Sequence, residues 1–293
     1  MKIGAQSAVI DRVYGPEKAL SIVRSAGFET IDFSLESETR LYLHSTALKK
    51  YFKNIKKHAE DIGMELAQTH APFYNPDKHM ENNDEIIETQ KRAIAATGHM
   101  GSKYIVIHPM KTKERMYNDD YERTKELNLK YYTALIPTLK EYGVYLAVEN
   151  MFTWDSTLKC ICPTSCTTAE EMVEYIDELG EMFVACLDTG HVNLIHQEGF
   201  EHVNFPHMIR TLGNRIKILH VHDNDGIKDL HLPPFAGNID WAEVMEELKK
   251  IGYSGHISLE ADNYMTYVKP EQFENAEKYM YSTAKRLYDM IIE

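Results

Sequence analysis

An apolar run of strand length followed by an amphipathic helical pattern recurs eight times along this chain, and no other feature restricts the fold as tightly. The strand-like runs fall near 3–8, 30–35, 65–72, 104–109, 145–150, 183–191, 216–224 and 256–261. The helical patterns fall near 16–26, 45–62, 84–99, 119–142, 168–179, 200–213, 240–252 and 271–290. Eight βα units in series read as an α/β protein, a single (β/α)8 TIM barrel whose strands are parallel because every crossover passes through a helix. Helix punctuation agrees: Pro16 and Pro270 sit at first turns, and Thr168 with Glu171 and Asp240 with Glu243 have capping-box spacing. Gly27, Gly143, Gly180 and Gly252 follow helices where a left-handed residue is wanted, and Pro137 is expected to kink the fourth helix. Barrels of this kind run to about 250 residues or more as one unit, so residues 1–293 are read as one domain.

None of the apolar runs approaches the roughly 20 residues of a membrane span, and the start, MKIGAQSAVI, has no basic segment followed by an apolar stretch and a cleavage site. A cytoplasmic location without a membrane partner is expected. Forty-five acidic residues against 32 basic ones give a formal charge of −13, which argues against nucleic acid as the main partner because that affinity comes largely from neutralising phosphates. A small neutral or singly charged substrate suits the balance better, and homo-oligomerisation stays open. Cys160, Cys162 and Cys166 crowd a loop expected after the fifth strand; free thiols are favoured there over a zinc clip, which would need a fourth ligand, while Cys186 reads as strand core.

The ends of the apolar runs carry the chemistry. ELAQTHAP ends at His70, YIVIHP at His108, YLAVEN at Glu149, FVACLDTGH at Asp188 and His191, IKILHVHDN at His220 and His222, and HISLEA at Glu260. A parallel barrel gathers the carboxyl ends of its strands on one face, so these groups are aimed at one place. Glu149, Asp188, His222 and Glu260 offer three carboxylates and one imidazole from four consecutive strand ends. That is a hard, oxygen-rich set suited to one divalent ion, Mn2+, Mg2+ or Co2+, and acceptable to Zn2+. A lone Glu after an apolar run more often caps a loop or pairs with a lysine, but carboxylates crowded at one mouth with no cation between them raise each other's pKa. The four together fit a metal site better than a structural cluster. His220 is expected to face away from the mouth, and His44, His58, His79, His99, His196, His202, His207 and His256 to be surface or packing residues.

The segments His70-Ala71-Pro72, His108-Pro109, Val148-Glu149-Asn150, Leu187-Asp188-Thr189-Gly190-His191, Val221-His222-Asp223-Asn224-Asp225, Asp229-Leu230-His231 and Leu259-Glu260-Ala261 together resemble the xylose-isomerase-like barrel superfamily over nearly the whole chain. That group includes sugar-phosphate isomerases and epimerases, ketose 3-epimerases, inositol-catabolism enzymes and endonuclease IV. The resemblance implies a metal held by Glu149, Asp188, His222 and Glu260. It also implies an isomerase or epimerase in which Glu149 and Glu260 are the catalytic acid and base: one removes the proton α to a sugar carbonyl, the other returns it, and the metal stabilises the cis-enediolate. His191 resembles the family histidine that bonds a substrate oxygen, and Asp155, six residues after Glu149, stands where the epimerases often place a second substrate-contacting carboxylate. His70, His108, Asp229 and His231 would then bond substrate hydroxyls. Phe73, Phe152, Trp154 and Phe235 are candidates for an apolar wall under the sugar, with ordinary loop packing an even alternative.

The main competing reading is a three-zinc phosphodiesterase of the endonuclease IV type, for which His70, His108, Glu149, Asp188, His191, His222, Asp229, His231 and Glu260 supply every ligand type. The loops SLESETR, MKTKERMYNDDYER and MFTWDSTLKC are mixed or neutral rather than basic, and this favours the sugar. The last two βα loops hold no Gly-rich phosphate cradle, and where ketose epimerases commonly carry an arginine after the metal histidine's strand this chain has NDGIKDLH with only Lys228, read as an exposed loop lysine, so a phosphorylated substrate is not expected. A non-catalytic metal- or sugar-binding barrel is a third reading, disfavoured because both Glu149 and Glu260 are present.

Overall fold

Parallel strands buried on both faces need side chains that tolerate burial on both, and the strands of this chain have them. The computed structural model describes residues 1–35, 39–74, 83–110 and 121–292. Eight strands form one parallel sheet: β1 (Ile3–Gln6), β2 (Thr30–Ser34), β3 (Glu65–His70), β4 (Tyr104–Val106), β5 (Tyr145–Glu149), β8 (Phe183–Asp188), β9 (Ile216–His220) and β10 (Ile257–Leu259). Their order is β10-β1-β2-β3-β4-β5-β8-β9. A parallel bridge between Val221 and Leu259, with Val221 N donating to Ser258 O (2.9 Å) and Glu260 N to Val221 O (3.0 Å), joins the end of β9 to β10 and closes the barrel. The close approach of β1 to β2 explains Gly4, where an added Cβ would lie 2.2 Å from Thr30 Oγ1.

Helices cover the outside: α2 (Pro16–Ala26), α3 (Ser45–Asp61), α4 (Asn83–Met100), α5 (Tyr121–Tyr142), α6 (Ala169–Leu179), α8 (Phe205–Leu212), α9 (Trp241–Lys250) and α11 (Phe273–Ile292). The expected caps operate. Thr168 accepts from Glu171 N, and Asp240 accepts from Ala242 N and Glu243 N. Pro137 sits inside α5, which runs from Tyr121 to Tyr142. Short helices absent from the sequence reading follow β1 (α1, Ala8–Tyr14), β8 (α7, Thr189–Val192) and β10 (α10, Asp262–Thr266). No helix among the described residues is long and apolar enough to cross a membrane.

The expected cysteine loop is instead an antiparallel hairpin, β6 (Phe152–Asp155) with β7 (Cys160–Pro163), paired Asp155 to Cys160 and Thr153 to Cys162. Cys160 and Cys162 are partly exposed with sulfurs 3.6 Å apart, whereas Cys166 is buried, and the three do not form a metal-binding group among the described residues. The charged loop at 111–120, residues 36–38 and 75–82, and with them His79, lie outside the described residues.

Two cores result from the period-two alternation of the strands. The larger lies between the sheet and the helices. The smaller fills the barrel with Val106, Ala147, Val184, Cys186 and Ile218, packed against Tyr104. Beyond it the inward positions turn polar, with Asp32, Gln68, Glu149, Asp188 and His220 all buried. The apolar plug is thus a floor for a polar chamber at the carboxyl ends of the strands.

Glu277 on α11 breaks the outer pattern: it is fully buried and neither carboxylate oxygen has a hydrogen-bond partner. Burial, and then the nearby Asp262, raise its pKa well above the usual carboxylate range. Because the folded pKa exceeds the unfolded one, the associated stability is complete below the unfolded pKa and is lost as pH rises through the folded value. Glu277→Gln should therefore raise the melting temperature by a few degrees at pH 8 and by less at pH 5, measured by thermal circular dichroism. An equal shift at both pH values would refute this.

Candidate metal centre

Four strand ends deliver the central group, and the backbone fixes how deep each side chain sits. Glu149 closes β5 and Asp188 closes β8, and the two ends are tied by Asn150, whose Nδ2 donates to Asp188 O (2.9 Å) while its Oδ1 accepts from Asp188 N (2.7 Å). Glu260 follows β10 and accepts from Gln6 Nε2 (3.0 Å). Glu149, Asp188, His220 and Glu260 present four ligand atoms within 4.8 Å of one another, all buried.

The imidazole in this group is His220, not His222. Residues 220 and 222 are two apart on an extended strand and so face the same side, which overturns the expectation that His220 points away from the mouth. His220 Nδ1 lies 3.0 Å from Glu149 Oε1 and 3.1 Å from Glu260 Oε2, and its Nε2 lies 3.0 Å from Asp32 Oδ2. His222 sits one layer nearer the mouth, bonded to Asp188 (3.0 Å), and groups with His191, Asp229 and His231. Its ring stacks on His231 at 3.9 Å between centroids. Gly190 is what lets that ring in, since a Cβ there would come within 1.8 Å of His222 Cε1.

A third group, His70, His108 and Glu149, shares Glu149 with the first. His108 Nε2 is 2.9 Å from Glu149 Oε2, and the two Nε2 atoms are 3.0 Å apart. Outside the central group three of the histidines are oriented from behind: His70 Nδ1 bonds Ala71 O (2.9 Å), His191 Nδ1 bonds Asn150 O (2.8 Å) and His231 Nδ1 bonds Glu260 O (2.7 Å). A nitrogen tied to a carbonyl commits the other to the chamber, as metal-binding histidines require. Two buried atoms of the outer group, His222 Nδ1 and Asp229 Oδ1, have no hydrogen-bond partner. The donor sets fit a divalent cation: mixed carboxylate and imidazole, buried and convergent.

Glu149, Glu260, His70, His108, His191, Asp229 and His231 line a cavity of about 880 Å3 at this end of the barrel. Phe73, Phe152 and Trp154 also line it, with Trp154 58% exposed, whereas Phe235 lies elsewhere, under the Arg286 guanidinium at 3.8 Å. Asp155 is not part of the lining. Its Oδ1 accepts from Thr157 N (2.7 Å) and Leu158 N (2.8 Å), so the carboxylate stabilises the β6–β7 turn instead. Lys228 is exposed and does not line the cavity.

Charge compensation sets the ionisation of these groups. Burial opposes the ionised form of Glu149, but His220 and His108 outweigh it and hold the carboxyl well below its usual range; Glu260 is lowered too, against burial, by His220 and His231. Burial likewise opposes charge on Asp229, yet His231 brings it down to about 2. His70 is raised to about 9, burial being overcome by Glu149 and Glu260, and His231 to about 10, burial being overcome chiefly by Asp229.

A pH test on metal-free protein follows. The folded pKa values of His70 and His231 lie above the roughly 6.5 of an unfolded histidine, so their stabilisation is complete below that value and fades as pH rises through 9 to 10. The melting temperature of the metal-free protein should fall between pH 7 and 10. A metal-free profile level over that range would contradict the assignment.

Residues 20–286 match the model of the xylose isomerase-like TIM barrel family. An uncharacterized protein of Methanocaldococcus jannaschii is 29% identical over 278 residues, covering 93% of this chain and 87% of its own. The D-psicose 3-epimerase of Enterocloster bolteae is 24% identical over 254 residues, covering 83% and 76%. Among solved structures, the IOLI protein with a bound zinc atom superposes with a TM-score of 0.69 at 20% identity, over 99% of this chain and 98% of that one. With a family match across most of its length and the strand-end constellation in place, the chain belongs to the xylose isomerase-like TIM barrel family.

Proposed function

We propose that the chain is a divalent-metal-dependent sugar isomerase or epimerase that moves a proton on a carbon next to a carbonyl, with Glu149 and Glu260 as acid and base. The observation that carries this reading is the placement of two ionised glutamates on the wall of one cavity, both converging on His220 Nδ1. The relationship to a D-psicose 3-epimerase supports it.

The chemistry assigns the residues. A sugar carbon acid is too weak for an unassisted carboxylate, so the reaction needs both a positioned base and stabilisation of charge on the carbonyl oxygen. A divalent ion, when bound by Glu149, Asp188, His220 and Glu260, supplies that stabilisation as a Lewis acid. One glutamate takes the proton, and the other, arriving from a different strand, can return it. His191, His70, His108, Asp229 and His231 line the cavity where they can bond the hydroxyls, while Phe73, Phe152 and Trp154 offer apolar surface to C–H faces and exclude water.

A multi-zinc phosphodiesterase is the second reading, and the two further His-carboxylate groups beside the central one favour it. Charge opposes it. Among the described residues lining the cavity, Arg12 is the one Lys or Arg, and the cationic imidazoles of His70 and His231 are already paired with Glu149 and Asp229, which is a poor surface for a phosphate backbone.

Two measurements separate the readings. Incubation with a panel of ketoses and their phosphates in D2O with Mn2+ should place deuterium on carbon, at C3 for an epimerase or at C1 or C2 for an isomerase. No incorporation into any sugar would count against the proposal. Elemental analysis after gel filtration should find about one divalent ion per chain, lost on Glu260→Gln and kept on His231→Ala; two or three zinc ions together with cleavage of an abasic duplex would establish the phosphodiesterase.

On whichever sugar exchanges, Glu149→Gln and Glu260→Gln should each cut turnover by at least the 10²–10⁴-fold typical of general acid-base catalysis. Trp154→Ala should chiefly raise KM. Either glutamine variant retaining near-wild-type turnover would rule out the two-glutamate mechanism.

A further inference from the structure

Below the central group, on the side away from the cavity, lies a polar pair that the reaction chemistry does not use. Asp32, on β2, is 1% exposed, and its Oδ2 lies 3.0 Å from His220 Nε2 and 2.9 Å from Gln68 Nε2. Gln68, on β3, is equally buried and is the sheet partner of Asp32. In the order of the barrel β2 is separated from β9 by β1 and β10, so this contact spans the interior and does not come from strand pairing. The His220 ring is further fixed by stacking on His70, with centroids 5.6 Å apart and planes at 23°.

We propose that Asp32, held in place by Gln68, is the positioning residue that orients the His220 ring and commits its Nδ1 to the central group. An imidazole has two nitrogens, and a fixed carboxylate on one of them selects both the ring orientation and the tautomer presented by the other. Here the nitrogen left over is the one aimed between Glu149 and Glu260. The same carboxylate makes the ring a better donor to a cation. His222 has no such support: its Nδ1 is unpartnered and its Nε2 leans on Asp188, itself a member of the central group. Gln68 donates to Asp32 from the side, so the carboxylate cannot swing away from the ring without losing a buried bond.

This inference rests on the metal-dependent reading, and the test separates the two. Metal-free wild type, Asp32→Ala, Asp32→Asn, His220→Gln and His222→Gln are titrated with Co2+ by calorimetry and by visible absorption, and the fold of each is checked by circular dichroism. Wild type should bind at least one ion tightly. Asp32→Ala should weaken that site by about 10–100-fold and change its absorption bands, as loss of an outer partner of a metal histidine does. Asp32→Asn, which keeps an acceptor for Nε2–H, should lose less. His220→Gln should lose the tight ion and His222→Gln should keep it.

Should Asp32→Ala fail to fold, Asp32→Asn and the two histidine variants still decide the matter. If wild type takes up no ion, the metal-dependent reading itself falls. If wild type binds and the Asp32 variants bind equally well with only a lower melting temperature, Asp32 is structural and the inference alone is overturned. Loss of the tight ion on His222→Gln but not on His220→Gln overturns it as well.

Discussion

Three carboxylates, those of Glu149, Asp188 and Glu260, are buried together at one end of the barrel, and most of what surrounds them follows from the cost of that burial. An unpaired buried carboxylate would simply take up a proton. Here Glu149 and Glu260 do the opposite and stay ionised, because imidazoles reach them: His220 from β9 for both, His108 from the segment after β4 for Glu149, and His231 for Glu260. The histidines are in turn tied by their far nitrogens to Ala71 O, Asn150 O, Glu260 O and Asp32, so the compensating charges cannot move off. The chamber holds groups that could bind a cation, and the apolar plug of Val106, Ala147, Val184, Cys186 and Ile218 beneath it keeps the low-dielectric setting in which charge pairing is strong.

How much of this was legible in the sequence depends on which physical rule was read. The alternation of strands and helices and the gathering of strand ends are properties of the chain's own periodicity, and they place Glu149, Asp188, Glu260, His70, His108, His191, Asp229 and His231 around one cavity or chamber. Depth is another matter. Choosing His222 for the central group treats the last polar residue of a run as the ligand, whereas the barrel sets depth by strand stagger and brings His220 level with the glutamates. Both residues face inward, and the period-two rule alone excludes the idea that His220 faces elsewhere. Asp32 and Gln68 carried a faint signal: each lies two residues before an inward position at the end of its strand, Ser34 and His70.

Loops were less readable, for the reason that loops are. The hairpin of β6 and β7 has four-residue strands whose cysteines read as metal ligands or spare thiols, and the pairing of Thr153 with Cys162 comes from a tertiary fit that no spacing announces. Asp155 shows how such a fit redirects a residue. Spacing after Glu149 offered it to the substrate, but a hairpin turn two residues on has unpaired backbone N–H groups, and an Asp is well placed to cap them. Trp154, the neighbour on the opposite face of the strand, lines the cavity instead.

The same constellation can serve proton transfer on a sugar or attack on a phosphodiester, so ligand identity cannot distinguish the two activities; occupancy can. Glu149 is shared between the central group and the His70–His108 group, and Asp188 reaches both His220's group and His222. Filling all the groups with ions would consume the glutamate and histidine atoms that a sugar needs as free bases and hydroxyl partners. Leaving the outer groups to imidazolium-carboxylate pairs, as in His231 with Asp229 at 3.0 Å, keeps those atoms available. The raised pKa of His231, about 10, has the same effect near neutral pH, since a cation entering the outer group must first displace a firmly held proton. The central group faces a similar competition at His220, but there three carboxylates favour the entering ion, against one, that of Asp229, in the outer group. On the proposed sugar reading the electrostatics would grade the groups, with the central one the first to fill, and a single ion bound there would leave the rest of the chamber to the substrate.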